Sequence, residues 1–221
     1  MTTRLSNLQD KLDEITATTR SLVQPERLAV GERAVEDLFA SGAEGRILPA
    51  GAKLPAFELP DYSGNRVRSA DLLALGPLVI TFFRGRWCPY CVTELEAWRD
   101  LYADIRDRGG LVVAISPQTV RQNDFTASQH SLPFPVLSDA GCKVAANFGL
   151  AYSVPKYHQQ YYRSILVNVP FVNGDDSWRL PLPATFVVGQ DGTILFSEAH
   201  ADFKVRPEPE GVLAALPVVL R

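Results

Sequence analysis

The sequence predicts an α/β domain in which a central mixed β-sheet is covered on both faces by helices, with a helical extension in front of it. Three observations predict this. The runs Leu78 to Phe83 and Leu111 to Ser116 are continuously apolar, as strands buried on both faces are, rather than alternating. A charged helical stretch from Pro89 to Arg108 lies between them, which makes a βαβ unit with a right-handed crossover. A later hairpin, Thr185 to Gly189 and Thr193 to Ser197 about the turn Gln190-Asp191-Gly192, adds antiparallel strands.

Taken in order, residues 1 to about 45 read as a helical arm. Leu5, Leu8, Leu12 and Ile15 recur at three- and four-residue steps, and Pro25 opens a second helix carrying Leu28, Ala34, Val35 and Leu38. Two roles are open to this arm: packing on its own domain, or contact with a second subunit in a homodimer. Neither is expected to carry chemistry. The main domain then runs from 46 to 221. Phe57 to Leu59, the turn Asp61 to Asn65 and a return through Val67 predict an opening hairpin. Val120 to His130 predicts a helix, Pro135 to Ser138 a short strand and Ala140 to Phe148 another helix. The tyrosine-rich stretch from about 151 to 182 shows no period and is expected to be an irregular insertion that covers the active site or forms a subunit contact. Pro209 to Leu216 closes with a helix.

Composition excludes several classes. A 221-residue chain that is 46% apolar can bury a full core, and a net charge of -3 leaves no excess of cations to collect on phosphates. Nucleic acid is therefore not an expected partner. The first fifteen residues interleave charges with isolated leucines and lack the apolar run of a secretory signal or membrane span, so a cytoplasmic address and no membrane partner are expected. Three cysteines are too few and too odd for a disulfide-stapled secreted fold, and two of them stand at CxxC spacing.

That pair sits in Arg84-Gly85-Arg86-Trp87-Cys88-Pro89-Tyr90-Cys91, where a buried strand breaks at glycine and delivers two thiols to a helix start. Pro89 suits the first helical position, which makes Cys88 the N-cap and sets Cys91 one turn inside, so that Cys88 alone is expected to face solvent. Unpaired N–H groups and the macrodipole favour a negative sulfur there, and Arg84 and Arg86 add positive charge. A fall in thiol pKa from about 8.5 to about 7 is roughly 2 kcal/mol and yields much thiolate at neutral pH. On this reading Cys88 is the nucleophile and Cys91 the resolving thiol. Zinc is the rival use of such a pair, but His130, His158 and His200 do not stand at metal-ligand spacing, and neither metal nor cofactor is expected. Trp87 and Tyr90 are candidates for an apolar lip around the thiols, and Cys142 for either a packed thiol or a second resolving one.

Trp87-Cys88-Pro89-Tyr90-Cys91 resembles the active-site motif of thioredoxins and glutaredoxins, and Leu182-Pro183-Ala184-Thr185-Phe186 resembles the segment that holds their cis-proline. The resemblance implies a thioredoxin-like fold. It also implies a cis bond at Pro183 that presents the Leu182 backbone to a substrate chain. From about residue 50 onward the chain is more similar to the peroxiredoxins of the alkyl hydroperoxide reductase and thiol-specific antioxidant group. Pro55 to Asp61, Cys91 to Leu95, Phe134 to Asp139 and Phe186 to Gly192 carry that likeness in the same order. In that frame Cys91 falls at the peroxide-attacking cysteine, Cys88 replaces a hydroxyl residue, Pro183 stands where an arginine is usual and Arg84 where a proline is usual. In the thioredoxin frame the buried acid aligns with Phe82. Glu94 and Asp139 could substitute for it, but both read as exposed charges and are left out of the catalytic set.

The resemblance implies a thiol-dependent oxidoreductase that cycles Cys88 and Cys91 between dithiol and disulfide while reducing a peroxide or a disulfide. The reductant it implies is a thioredoxin-type protein or a low-molecular-weight thiol. Cys88 and Cys91 are the expected catalytic residues, with Trp87, Tyr90, Arg86 and Pro183 at the substrate. A disulfide reductase without peroxidase activity, and a redox-sensing binding module, are the alternatives.

Overall fold

The computed structural model describes residues 7–217. Leu5, counted in the first helical period, lies outside them. Strand β3 (Leu78–Phe82) pairs in parallel with β4 (Leu111–Ser116), which pairs in parallel with β5 (Val136–Ser138). On its other side β3 pairs antiparallel with β8 (Ala184–Val188), and β8 with β9 (Ile194–Ala199), so the five-stranded order is β5-β4-β3-β8-β9. The hairpin β1 (Glu58–Pro60) and β2 (Arg66–Arg68) lies outside that sheet.

Alternate residues of the central strands feed two cores, as a pleated strand requires. Val79, Val112, Ala114, Val136 and Val187 face one way, against α4 (Pro89–Asp100), α5 (Tyr102–Asp107), α6 (Val120–Gln129) and α10 (Pro209–Ala215). Leu78, Ile80, Phe82, Val113, Ile115 and Phe186 face the other way, against α3 (Ser69–Leu75), α7 (Lys143–Asn147) and the segment around Ala43. Cys88 and Cys91 belong to the first core and Cys142 to the second, so the sheet separates the third thiol from the pair.

The two N-terminal helices are α1 (Leu8–Leu22) and α2 (Pro25–Ala40). Leu8 and Leu12, four apart on one face, bury in the same core as Cys88, Tyr90 and Cys91. The start of α1 is held twice. Asn7 Oδ1 accepts from Asp10 N–H at 2.8 Å, and the Glu208 carboxylate accepts from Leu8 and Gln9 N–H at 2.9 and 2.8 Å. The arm therefore packs on its own domain, next to the thiols.

The stretch 151–182 is ordered, contrary to the irregular insertion its composition suggested. It holds β6 (Ala151–Ser153), α8 (Lys156–Ser164), α9 (Val169–Asn173) and β7 (Arg179–Pro181), with β6 and β7 paired antiparallel. Its aromatic residues supply the reason: Tyr162 and Trp178 bury with Val154, Val169 and Leu180 in a small core of their own. The predicted helix Pro89 to Arg108 likewise breaks in two at Leu101, and the one over Ala140 to Phe148 begins as a 3-10 turn, Ala140–Cys142. No helix among the described residues is long and apolar enough to cross a membrane.

Candidate active site

β3 ends at Phe82, and the chain turns through Gly85 before α4. Gly85 has φ of +149°, and a Cβ there would come within 2.6 Å of Trp87 Nε1, so the turn requires glycine. The loop is fixed from behind by a buried polar network. Gln118 Oε1 accepts from Arg86 N–H at 2.8 Å, while Gln118 Nε2 donates to Asn123 Oδ1 at 2.7 Å and to Thr126 Oγ1 at 3.1 Å.

Cys88 is the N-cap of α4 with extended backbone (φ -96°, ψ 106°), and its sulfur accepts from Cys91 N–H at 3.3 Å. Pro89 occupies the first turn, where a missing N–H costs nothing. Both sulfurs are fully buried, so Cys88 does not face open solvent as its cap position suggested. It lines instead a cavity of about 200 Å³ walled by α1, α2, α8 and Phe203, to which Cys91 contributes nothing.

The charges around the pair come from the loop before α4, from α4 itself and from the segment before α10. Arg84 is buried; its Nη2 donates to Cys88 Sγ at 3.1 Å and its Nη1 to the Tyr162 hydroxyl at 3.2 Å, while the guanidinium lies 3.7 Å from the Phe203 ring centroid. Arg206, also buried, donates from Nε to Glu94 Oε2 at 2.7 Å and from Nη2 to Cys91 Sγ at 3.7 Å. Glu94 Oε1 accepts from the hydroxyls of Thr81 and Thr185. Two guanidiniums and one carboxylate leave this buried cluster one positive charge in excess, and a thiolate at Cys88 cancels it. Burial alone would raise the Cys88 pKa; the hydrogen bond from Cys91 and the charges of Arg84 and Arg206 overcome it and pull the thiol well below its ordinary range. Cys91 moves the other way, pushed up by burial and by the neighbouring Cys88. The two sulfurs are thus shifted in opposite directions, Cys88 toward the thiolate and Cys91 toward the thiol.

Several expectations change. Arg86 is exposed and turns away from the sulfurs, donating from Nε to Gln122 Oε1 at 2.7 Å, because the Gln118 network holds its backbone outward. Arg84 acts on Cys88 in its place. Pro183 is buried between β7 and β8 with no cis bond, since no cis peptide occurs among the described residues. The Leu182 N–H that a cis-proline segment would offer to substrate donates to Leu150 O at 2.8 Å, continuing the β6 and β7 pairing. Glu94 and Asp139 are buried rather than exposed; Asp139 caps α7 by accepting from Val144 and Ala145 N–H. Burial pushes the Glu94 carboxyl up, and the Arg206 charge opposes it.

Tyr90 is buried, its hydroxyl 3.1 Å from Thr16 Oγ1 of α1, and half-buried Trp87 packs edge-on against Tyr162 with ring centroids 5.0 Å apart. Both line the cavity with Tyr161 and Tyr162, so the aromatic stretch covers the thiols. Cys142 is buried in the core on the opposite face of the sheet, where burial pushes its thiol far up. Sequence reasoning missed Arg206, which lies 112 residues from its carboxylate partner with no local pattern to mark it.

Comparisons with known proteins identify the family. A family model, described as the AhpC/TSA family, matches residues 50–197. A protein of Mycobacterium tuberculosis named as a peroxiredoxin is 30% identical over 151 residues, which cover 68% of this chain and 85% of that one. The thiol-disulfide oxidoreductase ResA of Bacillus anthracis is 24% identical over 169 residues, 76% of this chain and 78% of that one. Among solved structures, peroxidoxin BcpB of Mycobacterium tuberculosis matches with a TM-score of 0.60 and 26% identity, over 76% of this chain and 96% of that one. With its family residues spanning the sheet, the CxxC helix and the aromatic cover, this chain belongs to the AhpC/TSA family and is a thiol-dependent oxidoreductase of thioredoxin-like fold.

Proposed function

We propose that the chain reduces a peroxide at Cys88 and closes the cycle with Cys91. The observation that carries this reading is the Arg84 guanidinium 3.1 Å from the buried Cys88 sulfur, both lining one pocket. The Cys88 thiolate attacks the terminal peroxide oxygen, the O–O bond breaks, and the departing alkoxide or hydroxide takes a proton to leave as alcohol or water. Arg84 lies beside the forming and breaking bonds, where a fixed cation stabilises charge moving from sulfur onto oxygen. Cys88 is left as a sulfenic acid. Cys91, one turn into the same helix, gives up its proton and attacks the Cys88 sulfur; hydroxide leaves as water and the disulfide forms. The Arg206 guanidinium near Cys91 Sγ favours the thiolate needed for that step. Two electrons from a thiol reductant restore both sulfurs, which suits a reducing, cytoplasmic setting.

Single substitutions distinguish the roles of the sulfurs. Peroxide should add one oxygen to the Cys91→Ser protein at Cys88, trapped by dimedone and seen by mass spectrometry, while Cys88→Ser should stay unmodified. Rapid sulfenic acid formation in Cys88→Ser would transfer the attacking role to Cys91 and sink this assignment.

A further inference from the structure

We infer that the N-terminal helices decide which thiol can recharge the enzyme, admitting small thiols and shutting out protein donors. This rests on the Cys88/Cys91 cycle proposed above. Helices α1 and α2 end before residue 50, so the wall they build lies outside the residues that the family model matches. Thr16 and Thr19 of α1 and Leu28, Gly31 and Glu32 of α2 line the cavity over Cys88, and α8 forms its far wall. Neither sulfur has any exposed surface. A small thiol can enter the pocket and reach Cys88, whereas the helix end on which a folded protein carries its thiol would have to displace the helices that line it, since the sulfur itself is 0% exposed.

Thiol-disulfide exchange requires the incoming sulfur to approach the attacked sulfur along the S–S axis. Only Cys88 opens into the cavity, so it is the sulfur that a donor attacks. A donor thiolate RS⁻ bonds to Cys88, the Cys88–Cys91 bond breaks, and Cys91 leaves as a thiolate beside Arg206 and takes up a proton. A second RS⁻ attacks the donor sulfur of the mixed disulfide, releasing RSSR and the Cys88 thiolate. Two small thiols are oxidised and the pair gains two electrons. A protein donor cannot make the first bond unless the arm leaves.

The test uses the full chain oxidised with diamide, which closes the pair whether or not a peroxide does. Failure of the peroxide reading is thus seen separately, and failure of diamide to link Cys88 to Cys91 overturns both. Stopped-flow tryptophan fluorescence then follows reduction by cysteine and by reduced thioredoxin at equal concentration. The intact protein should react no faster with thioredoxin than with cysteine. Loosening the arm with Leu12→Ala/Glu208→Ala, which removes its buried leucine and its carboxylate cap, should speed thioredoxin about tenfold or more and leave cysteine within about twofold. A Cβ at Gly31 meets nothing within 4 Å, so Gly31→Phe can occupy the cavity without disturbing the helix, and it should slow cysteine about tenfold. Faster reduction of the intact protein by thioredoxin than by cysteine, or an unchanged cysteine rate in Gly31→Phe, would overturn the inference.

Discussion

At the scale of single residues, the two neighbouring sulfurs have one guanidinium each. Arg84 touches Cys88 and Arg206 touches Cys91, but only Arg206 is neutralised by a carboxylate. Removing Arg84 should therefore raise the Cys88 pKa, and Arg84→Met should move the pH profile of iodoacetamide alkylation upward by about one to three pH units, with Arg84→Lys in between. The same shift governs stability. A thiol whose folded pKa lies below its unfolded value near 9 contributes stability that is complete above the unfolded value and lost as pH falls through the folded one. Urea unfolding should accordingly show wild type gaining on Arg84→Met as pH rises toward 9; a gap that does not change with pH would mean that Cys88 is not the titrating group.

At the scale of elements, α1 has a weak claim to stability on its own and depends on the face it buries. Its sequence is mostly polar, and within the described residues Leu8 and Leu12 are its buried side chains. Leu12→Ala should cost about 2–5 kcal/mol if α1 unfolds together with the domain. If the arm opens by itself, amide exchange should rise over Leu8–Leu22 while the sheet strands stay protected. The second outcome is expected, since α1 meets the domain mainly through α4 and the Glu208 cap. Helix α8 follows the same logic: His158 and Tyr162, four apart, are its buried face, a period that can be read in Lys156 to Ser164 once the surrounding tyrosines are not taken as disorder.

At the scale of the molecule, the Glu94–Arg206 ion pair joins the CxxC helix to the segment that enters α10. Both side chains are 1% exposed, so removing one partner leaves a charge buried without its counterion. Arg206→Met should destabilise by about 3–5 kcal/mol in urea, and adding Glu94→Leu should recover much of that. It should also slow disulfide closure, because Cys91 loses its cation, and the double variant should not restore that rate. Recovery of both stability and closure would show that Arg206 serves packing alone.

The sequence by itself determined the five strands of the central sheet, their order along the chain and the thiol pair at a helix N-terminus. Each of these rests on local periodicity or on a residue's own backbone preference: the double-faced strand runs, Pro89 at the first turn, the turns of the two hairpins. Only the tertiary structure decided which arginine serves the thiols. Arg84 and Arg86 are two residues apart on an irregular loop, and what separates their fates is Gln118, which holds Arg86 outward from another strand end. Arg206, the buried Glu94 and the roof over Cys88 were illegible for the same reason. Burial and ionisation depend on what arrives from tens of residues away, and no local pattern records that.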